Sequence, residues 1–274
     1  MVVAIAADTY EIACEAAKLV KIEYERLPAV FDPREAMKEG APVIPSEEHE
    51  GEFDGNLHML GGGHMVKGDK KRCYKLVKGD INEGFARSDV ILQKKFATSV
   101  QKAASIEPLV TIADWQDDGV TIWSTQQCPH GNAEAIAGAL KLSLAKTRII
   151  CPAMGGGFGE KNSVGLEPVT AVLSKKAQKP VRFHFTIEDH LTWSGTRHPV
   201  YMDLKLGATR DGQLMALERY NITGSGAYRG VSNLITAKLT YWGSGCYHVP
   251  HQYAESYVVT TNKQLGAAMR GFGM

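Results

Sequence analysis

The stretch "MGGGFGEKN", residues 154–162, limits what this chain can fold into more than any other. It follows "TRIICPA", which reads as a strand, and precedes "EPVTAVLSKKAQ", which reads as a helix. A glycine cluster between a strand and a helix belongs to a mixed α/β architecture. Two phosphate-binding readings fail on spacing. Gly155, Gly157 and Gly159 give G-x-G-x-G, one residue short of the dinucleotide fingerprint G-x-G-x-x-G. A Walker A loop needs Gly-Lys-Ser/Thr, whereas Glu160 precedes Lys161 here and Asn162 follows it. Missing β-carbons let main-chain N–H groups approach a bulky ligand, or let the chain adopt positive φ. A simple glycine-rich turn would meet the same requirement.

Composition narrows the partners. Lys plus Arg total 31 and Asp plus Glu total 30, for a formal charge of +1, far from the positive field that nucleic-acid binding needs. The 28 glycines with an ordinary charged fraction of 22 % indicate an ordered, loop-rich protein. Cys14, Cys73, Cys128, Cys151 and Cys246 are odd in number, widely spaced and without a C-x-x-C pair. That spacing cannot hold an iron–sulfur cluster or zinc and favours a reducing compartment, the cytoplasm by default. No apolar run reaches 18 residues and "MVVAIAAD" has no basic lead, so neither a membrane span nor a signal peptide is expected.

Along the chain, "VVAIAA" is expected as a buried strand. An amphipathic helix starts near Thr9, with Ile12, Ala16, Leu19 and Val20 on one side, and "VKIEYE" follows as an alternating strand. A first strand without a lead-in implies a missing neighbour, so the chain is expected to be the middle of something larger. Residues 32–75 read as a connecting loop, with "GGGH" at 61–64 as linker. From 79 onward strands take over: "VILQKKFAT", then "LVTIADWQ" and "GVTIWST", joined by "DDG" as a tight hairpin. "HGNAEAIAGALKL" is helical, "PVRFHFTI" a strand, and "VYMDLKLGATRDGQLMALERYNITGSGAY" a two-strand meander about Arg-Asp-Gly. The remainder is read as loop until the strand "QYAESYVVTTN". A boundary near residues 76–96 separates two α/β domains, the second cut off at its C-terminal end.

Five stretches now combine: "AADTYEIACEAAKLVKIEYERLPAVFDP", "STQ" at 124–126, "GGGFGEKN", "TRHPV" with "DG", and "TTNKQLGAAMRGFG". In this order and at these spacings the chain resembles, over essentially all 274 residues, the molybdopterin-binding large subunit of the xanthine dehydrogenase/aldehyde oxidase family of molybdenum hydroxylases. The resemblance implies a mixed α+β and α/β fold. Residues 1–32 would be the end of the small α/β (hammerhead) domain, 33–78 a connecting segment, and 79–274 the first molybdopterin-binding domain. It implies a molybdenum–molybdopterin cofactor in the cytosine dinucleotide form, with no direct protein ligand to the metal. It places [2Fe–2S] clusters and FAD on partner subunits, and the catalytic glutamate on a remaining molybdopterin-binding half. The implied activity is hydroxylation of a nitrogen heterocycle, purine-like (xanthine or hypoxanthine) or nicotinate-like. Aldehyde oxidation on the same scaffold and a non-catalytic cofactor-domain fragment are the alternatives. Alone, the chain is expected to be inactive.

The resemblance also assigns residues. Gln126 would hydrogen-bond an oxo ligand of molybdenum, because a neutral amide steadies an oxygen without protonating it. Gly156, Gly157, Phe158 and Gly159 would pass beside the metal and pterin, with Arg270 also on the cofactor side or purely structural. The usual continuation is Gly-Gly-Lys-Glu. Here Glu160 replaces the second glycine, and Asn162 stands where xanthine-oxidising members place a substrate-binding glutamate. Both are taken as substrate-side residues. Arg229 in "SGAYRG" would orient a purine, or be a solvated loop arginine. Phe272 in "MRGFG" would stack on a planar substrate, or pack its own loop. His198 in "TRHP" is expected to anchor a turn, and the nine histidines lack zinc spacing.

Overall fold

Thr9 accepts a hydrogen bond from the Ile12 N–H at 3.3 Å and so caps the first helix of the computed structural model, which describes residues 2–44 and 73–273. In chain order the elements are α1 (Tyr10–Lys18), α2 (Pro33–Ala36), β1 (Tyr74–Lys78), α3 (Ile81–Ala86), β2 (Val90–Ala97), β3 (Val110–Gln116), β4 (Gly119–Ser124) and α4 (Pro129–Leu140). They continue with β5 (Thr147–Ile150), α5 (Glu167–Ala177), β6 (Val181–His184), α6 (Ile187–Trp193), β7 (Val200–Ala208), β8 (Leu214–Gly226), α7 (Ser232–Trp242) and β9 (His251–Thr260).

The result is a mixed α/β fold. The strands expected on either side of α1 do not form: residues 2–7 and 20–32 carry no strand. A strand needs a hydrogen-bonded neighbour, and no described segment supplies one there. The helix itself buries no residue, and its apolar side stays open, with Ile12 55 % and Leu19 81 % exposed. The reading of 32–75 as loop needs correction at both ends, where Pro33–Ala36 is helix α2 and β1 begins at Tyr74, and "INEGFA" is helix α3, capped by Asp80. Helices α6 and α7 lie in segments read as strand or loop. The "GGGH" cluster lies outside the described residues.

Two compact units are present, residues 1–27 with 103–194, and 28–102 with 195–274. The first is built on a four-stranded sheet of order β5-β4-β3-β6. Asp117, at φ 50°, turns β3 back on β4, and the α4 crossover returns the chain as β5, parallel to β4. Val120 and Ile122 alternate inward from β4 and meet Ala113, Ile136 and Ala171, with Trp115, Leu140 and Ile149 packed around them. This core fixes β4, and with it the polar residues at its C-terminal end.

The second unit is a five-stranded sheet of order β1-β9-β8-β7-β2, antiparallel except between β8 and β9. Tyr257 and Val259 of β9 bury against Val30 and Ala36, while Tyr74 meets Val258. Helix α7 packs on this sheet through Ser232, Thr236 and Thr240, whose threonine hydroxyls donate to carbonyls four residues back. The buried Arg219 of β8 donates to the Leu239 and Thr240 carbonyls at 2.9 and 2.8 Å and so caps the C-terminal end of α7. Gly226 ends β8 at φ +76°, and a β-carbon there would lie 1.9 Å from the Gln264 carbonyl oxygen, so only glycine fits.

Candidate functional site

Strand β4 delivers Ser124, Thr125 and Gln126 into the interior of the first unit, where Gln126 is 2 % exposed. The Gln126 Oε1 accepts from Asn132 Nδ2 at 2.7 Å, and its Nε2 donates to Glu167 Oε1 at 3.3 Å. Glu167 can only accept and Asn132 Nδ2 can only donate, so the amide orientation is set by its neighbours. Glu167 is itself held by the Ser124 hydroxyl at 2.7 Å and the Gly165 N–H at 2.7 Å. The second hydrogen of Gln126 Nε2 has no partner among the described residues. A buried amide with one donor unused is what an oxo ligand shell requires.

The glycine loop runs beside this network. Gln127 bridges the two, donating its N–H to the Lys161 carbonyl at 2.8 Å and accepting from the Gly159 N–H at 2.8 Å through Oε1. A β-carbon on Gly157 would lie 2.6 Å from the Gln127 side chain, and one on Gly155 2.8 Å from Glu107. Gly155 packs against the stem of Glu107, whereas at Gly157 the exposed end of Gln127 would have to move aside. Gly156 and Gly159 are needed for backbone geometry, at φ +100° and +97°. Phe158 lies between them at φ +51°, its ring 47 % exposed. The N–H groups of Gly156, Gly157 and Phe158 have no hydrogen-bond partner among the described residues. Open donors and close-packed glycines suit a flat ligand with oxygen acceptors, and the chain fits a molybdopterin group in this respect.

Below the loop, side chains that the sequence did not single out carry its weight. Lys161 is fully buried and donates to Glu107 Oε2 at 2.8 Å, and the same oxygen accepts the Gly155 N–H at 2.9 Å. Burial pushes the Glu107 carboxyl up, but the Lys161 ammonium and the Gly155 N–H outweigh it and hold it below the ordinary carboxylate value. Glu160, expected at the substrate, is buried, with its carboxylate facing His190 and Ser194 of the α6 segment. Asn162 is half-buried, and its carbonyl accepts from Asn132 at 3.1 Å. Asn132, Glu167, Glu107 and His190 gave no motif signal.

Arg229, Arg270 and Phe272 belong to the second unit. Arg229 is half-buried and its carbonyl accepts from the Ser232 N–H. Arg270 is exposed, and its carbonyl accepts from the Arg197 guanidinium. Phe272 lines a cavity of about 210 Å³ with His198, Ile235, Leu239 and Met269, and the Lys238 ammonium lies 4.5 Å from its ring centre. His198 is buried, with Nε2 2.7 Å from the Ser232 hydroxyl, and burial lowers its pKa to about 4, with Arg197 adding to the shift. Among the described residues no group of three or more His, Cys, Asp or Glu side chains is placed to hold a metal ion, and no helix is long and apolar enough to cross a membrane.

Residues 65–274 match the family model of the molybdopterin cofactor-binding domain. The chain is 30 % identical over 271 residues to the nicotinate dehydrogenase large molybdopterin subunit of Eubacterium barkeri, covering 98 % of this chain and 59 % of that one. It is 27 % identical over 273 residues to the xanthine dehydrogenase of Emericella nidulans, covering 98 % and 18 %. Among solved structures it superposes on the aldehyde oxidoreductase from Desulfovibrio gigas with a TM-score of 0.84 at 29 % identity, over 97 % of this chain and 28 % of that one. The chain therefore spans 59 % or less of each of these relatives.

Proposed function

Because the chain belongs to the molybdopterin cofactor-binding domain family of the xanthine dehydrogenase/aldehyde oxidase class, we propose that it forms part of the molybdenum site of a hydroxylase acting on a nitrogen heterocycle. The observation that carries this reading is the buried Gln126 amide, with one hydrogen unused among the described residues, beside the N–H groups of Gly156, Gly157 and Phe158, which have no partner there either. Gln126 and the loop N–H groups would bind the molybdenum–molybdopterin cofactor, in its cytosine dinucleotide form. When bound, that group supplies the hydroxylating and electron-accepting chemistry. Phe158 would help to wall the site. Residues 1–32 are assigned to the end of the small hammerhead domain and 79–274 to the first molybdopterin-binding domain. A second molybdopterin-binding half with the catalytic glutamate, an iron–sulfur subunit and an FAD subunit complete the enzyme.

Substrate class is proposed from Arg229, Asn162 and Phe272. A guanidinium offers a rigid donor fork to a ring carbonyl or carboxylate, and an aromatic face suits a planar ring. Asn162 can both donate and accept, but carries no charge to meet the N–H groups of xanthine. A nicotinate-like or hypoxanthine-like ring is therefore favoured over xanthine itself, and the similarity to a nicotinate dehydrogenase subunit supports it. Aldehyde oxidation is the second reading, supported by the similarity to an aldehyde oxidoreductase. The test is kcat/KM of the assembled holoenzyme for nicotinate, hypoxanthine, xanthine and a simple aldehyde, before and after Arg229→Ala. Loss of a bidentate contact is worth about 2–5 kcal/mol, so heterocycle turnover should fall at least thirtyfold, roughly. A preference for the aldehyde that the substitution leaves unchanged would remove the heterocycle assignment.

A further inference from the structure

Phe158 is the one residue of the loop that should resist its own backbone. A bulky side chain in the left-handed region costs about 1–3 kcal/mol and persists only where the surroundings hold it. Upstream the loop is tied at Gly155 to Glu107. Downstream it is tied at Gly159 to Gln127, and then by the side chain of Glu160. Glu160 Oε2 lies 2.9 Å from His190 Nε2, and Oε1 lies 2.5 Å from the Ser194 hydroxyl, which also meets the His190 carbonyl. The other ring nitrogen, Nδ1, accepts the Leu109 N–H at 3.3 Å. The ring hydrogen is therefore on Nε2, pointing at Glu160, since a hydrogen on Nδ1 would oppose the Leu109 N–H.

The helix that presents His190 is rigid at its start. Thr186 and Asp189 form a reciprocal capping box on α6. A Ser-His-Glu hydrolytic relay does not explain this cluster. Ser105 Oγ approaches the same Nε2 that faces Glu160, at 3.4 Å, whereas a relay splits acid and nucleophile between the two ring nitrogens. All of these side chains are also buried, out of reach of any substrate.

We infer that Glu160 is a positioning residue, clamped by His190 and Ser194, that holds Phe158 and the unused N–H groups of the glycine loop in their ligand-facing geometry. The clamp is a property of this chain's own packing. Its consequence for catalysis rests on the hydroxylase reading. Glutamine at 160 keeps an acceptor for His190 and can donate to the Ser194 hydroxyl, whereas alanine keeps neither.

The test is amide hydrogen exchange on the full chain, comparing wild type with Glu160→Ala, Glu160→Gln and Ser194→Ala. In Glu160→Ala the hydrogen-bonded loop amides of Gly155, Gly159, Glu160 and Asn162 should exchange about tenfold faster or more, with those of α4 and α5 unchanged. Glu160→Gln should stay within about twofold of wild type, and Ser194→Ala should fall between the two. Unchanged loop exchange in Glu160→Ala would overturn the inference. If that variant loses protection throughout the unit, Ser194→Ala decides, and an unaffected loop there overturns it. In the assembled enzyme, bound molybdenum per chain and kcat should follow the same ranking. Wild-type values for both in Glu160→Ala would refute the positioning role. The exchange measurement needs no cofactor or substrate, so its failure leaves the hydroxylase reading standing, and an inactive assembled enzyme leaves the clamp standing.

Discussion

Replacing the two members of the Glu107–Lys161 ion pair one at a time should give very unequal losses of stability. Lys161 Nζ has no solvent exposure, whereas the Glu107 side chain keeps 31 % of its own. In Glu107→Met the ammonium is left buried and unpaired. Breaking a buried pair from one side usually costs about 3–5 kcal/mol, so Glu107→Met should cost about 3–4. In Lys161→Met the carboxylate is left instead. It can hydrate through its exposed part and keeps the Gly155 N–H, so the loss should be about 1 kcal/mol. The double variant should recover most of the Glu107→Met loss, because no unpaired charge remains. Urea unfolding followed by tryptophan fluorescence, with the slope checked for constancy, measures all three. Equal losses for the two single variants, or a larger loss for Lys161→Met, would refute the reasoning that burial of the ammonium decides the cost.

Two further outcomes are expected. Gln126→Ala in the assembled enzyme should lower turnover about 10–100-fold while costing the fold only about 1–2 kcal/mol, because Asn132 keeps the Asn162 carbonyl and Glu167 keeps Ser124. Near wild-type turnover would exclude Gln126 from the cofactor shell. His198 has a folded pKa of about 4 against an ordinary 6.5, so the unfolded state binds its proton first. Its contribution is therefore full above pH 6.5 and is lost as the pH falls toward 4, by about 1.4 kcal/mol per unit and about 3 kcal/mol in all. Urea unfolding from pH 7 to 4 should show this slope flattened in His198→Gln, and an identical slope in both proteins would contradict it.

Local chemistry alone made several elements legible. "DDG" names the β3–β4 hairpin, Arg-Asp-Gly the β7–β8 turn with Gly212 at φ +92°, and Thr9 the start of α1. The place of Gln126 at a strand end, and the need for glycines at 155–159, could also be read from the order of residues. Other features depended on partners far away in the chain. "VVAIAA" is apolar enough to be a strand but has no described neighbour, and so carries no strand. "YKLVK" is an ordinary, lysine-flanked run that becomes β1 only because β9 pairs with it. Helix α7 buries Ser232, Thr236 and Thr240 with Ile235 as the one buried apolar side chain, which hid its period until the sheet beneath it was in place. Glu160 shows the difference most sharply. Next to a glycine loop a carboxylate reads as a substrate contact, but α6 brings His190 and Ser194 to meet both of its oxygens. Turn and cap preferences act within a few residues and are written locally. The fate of a charged side chain depends on which groups desolvate it and which bond it, and those are chosen by the packing of the whole unit.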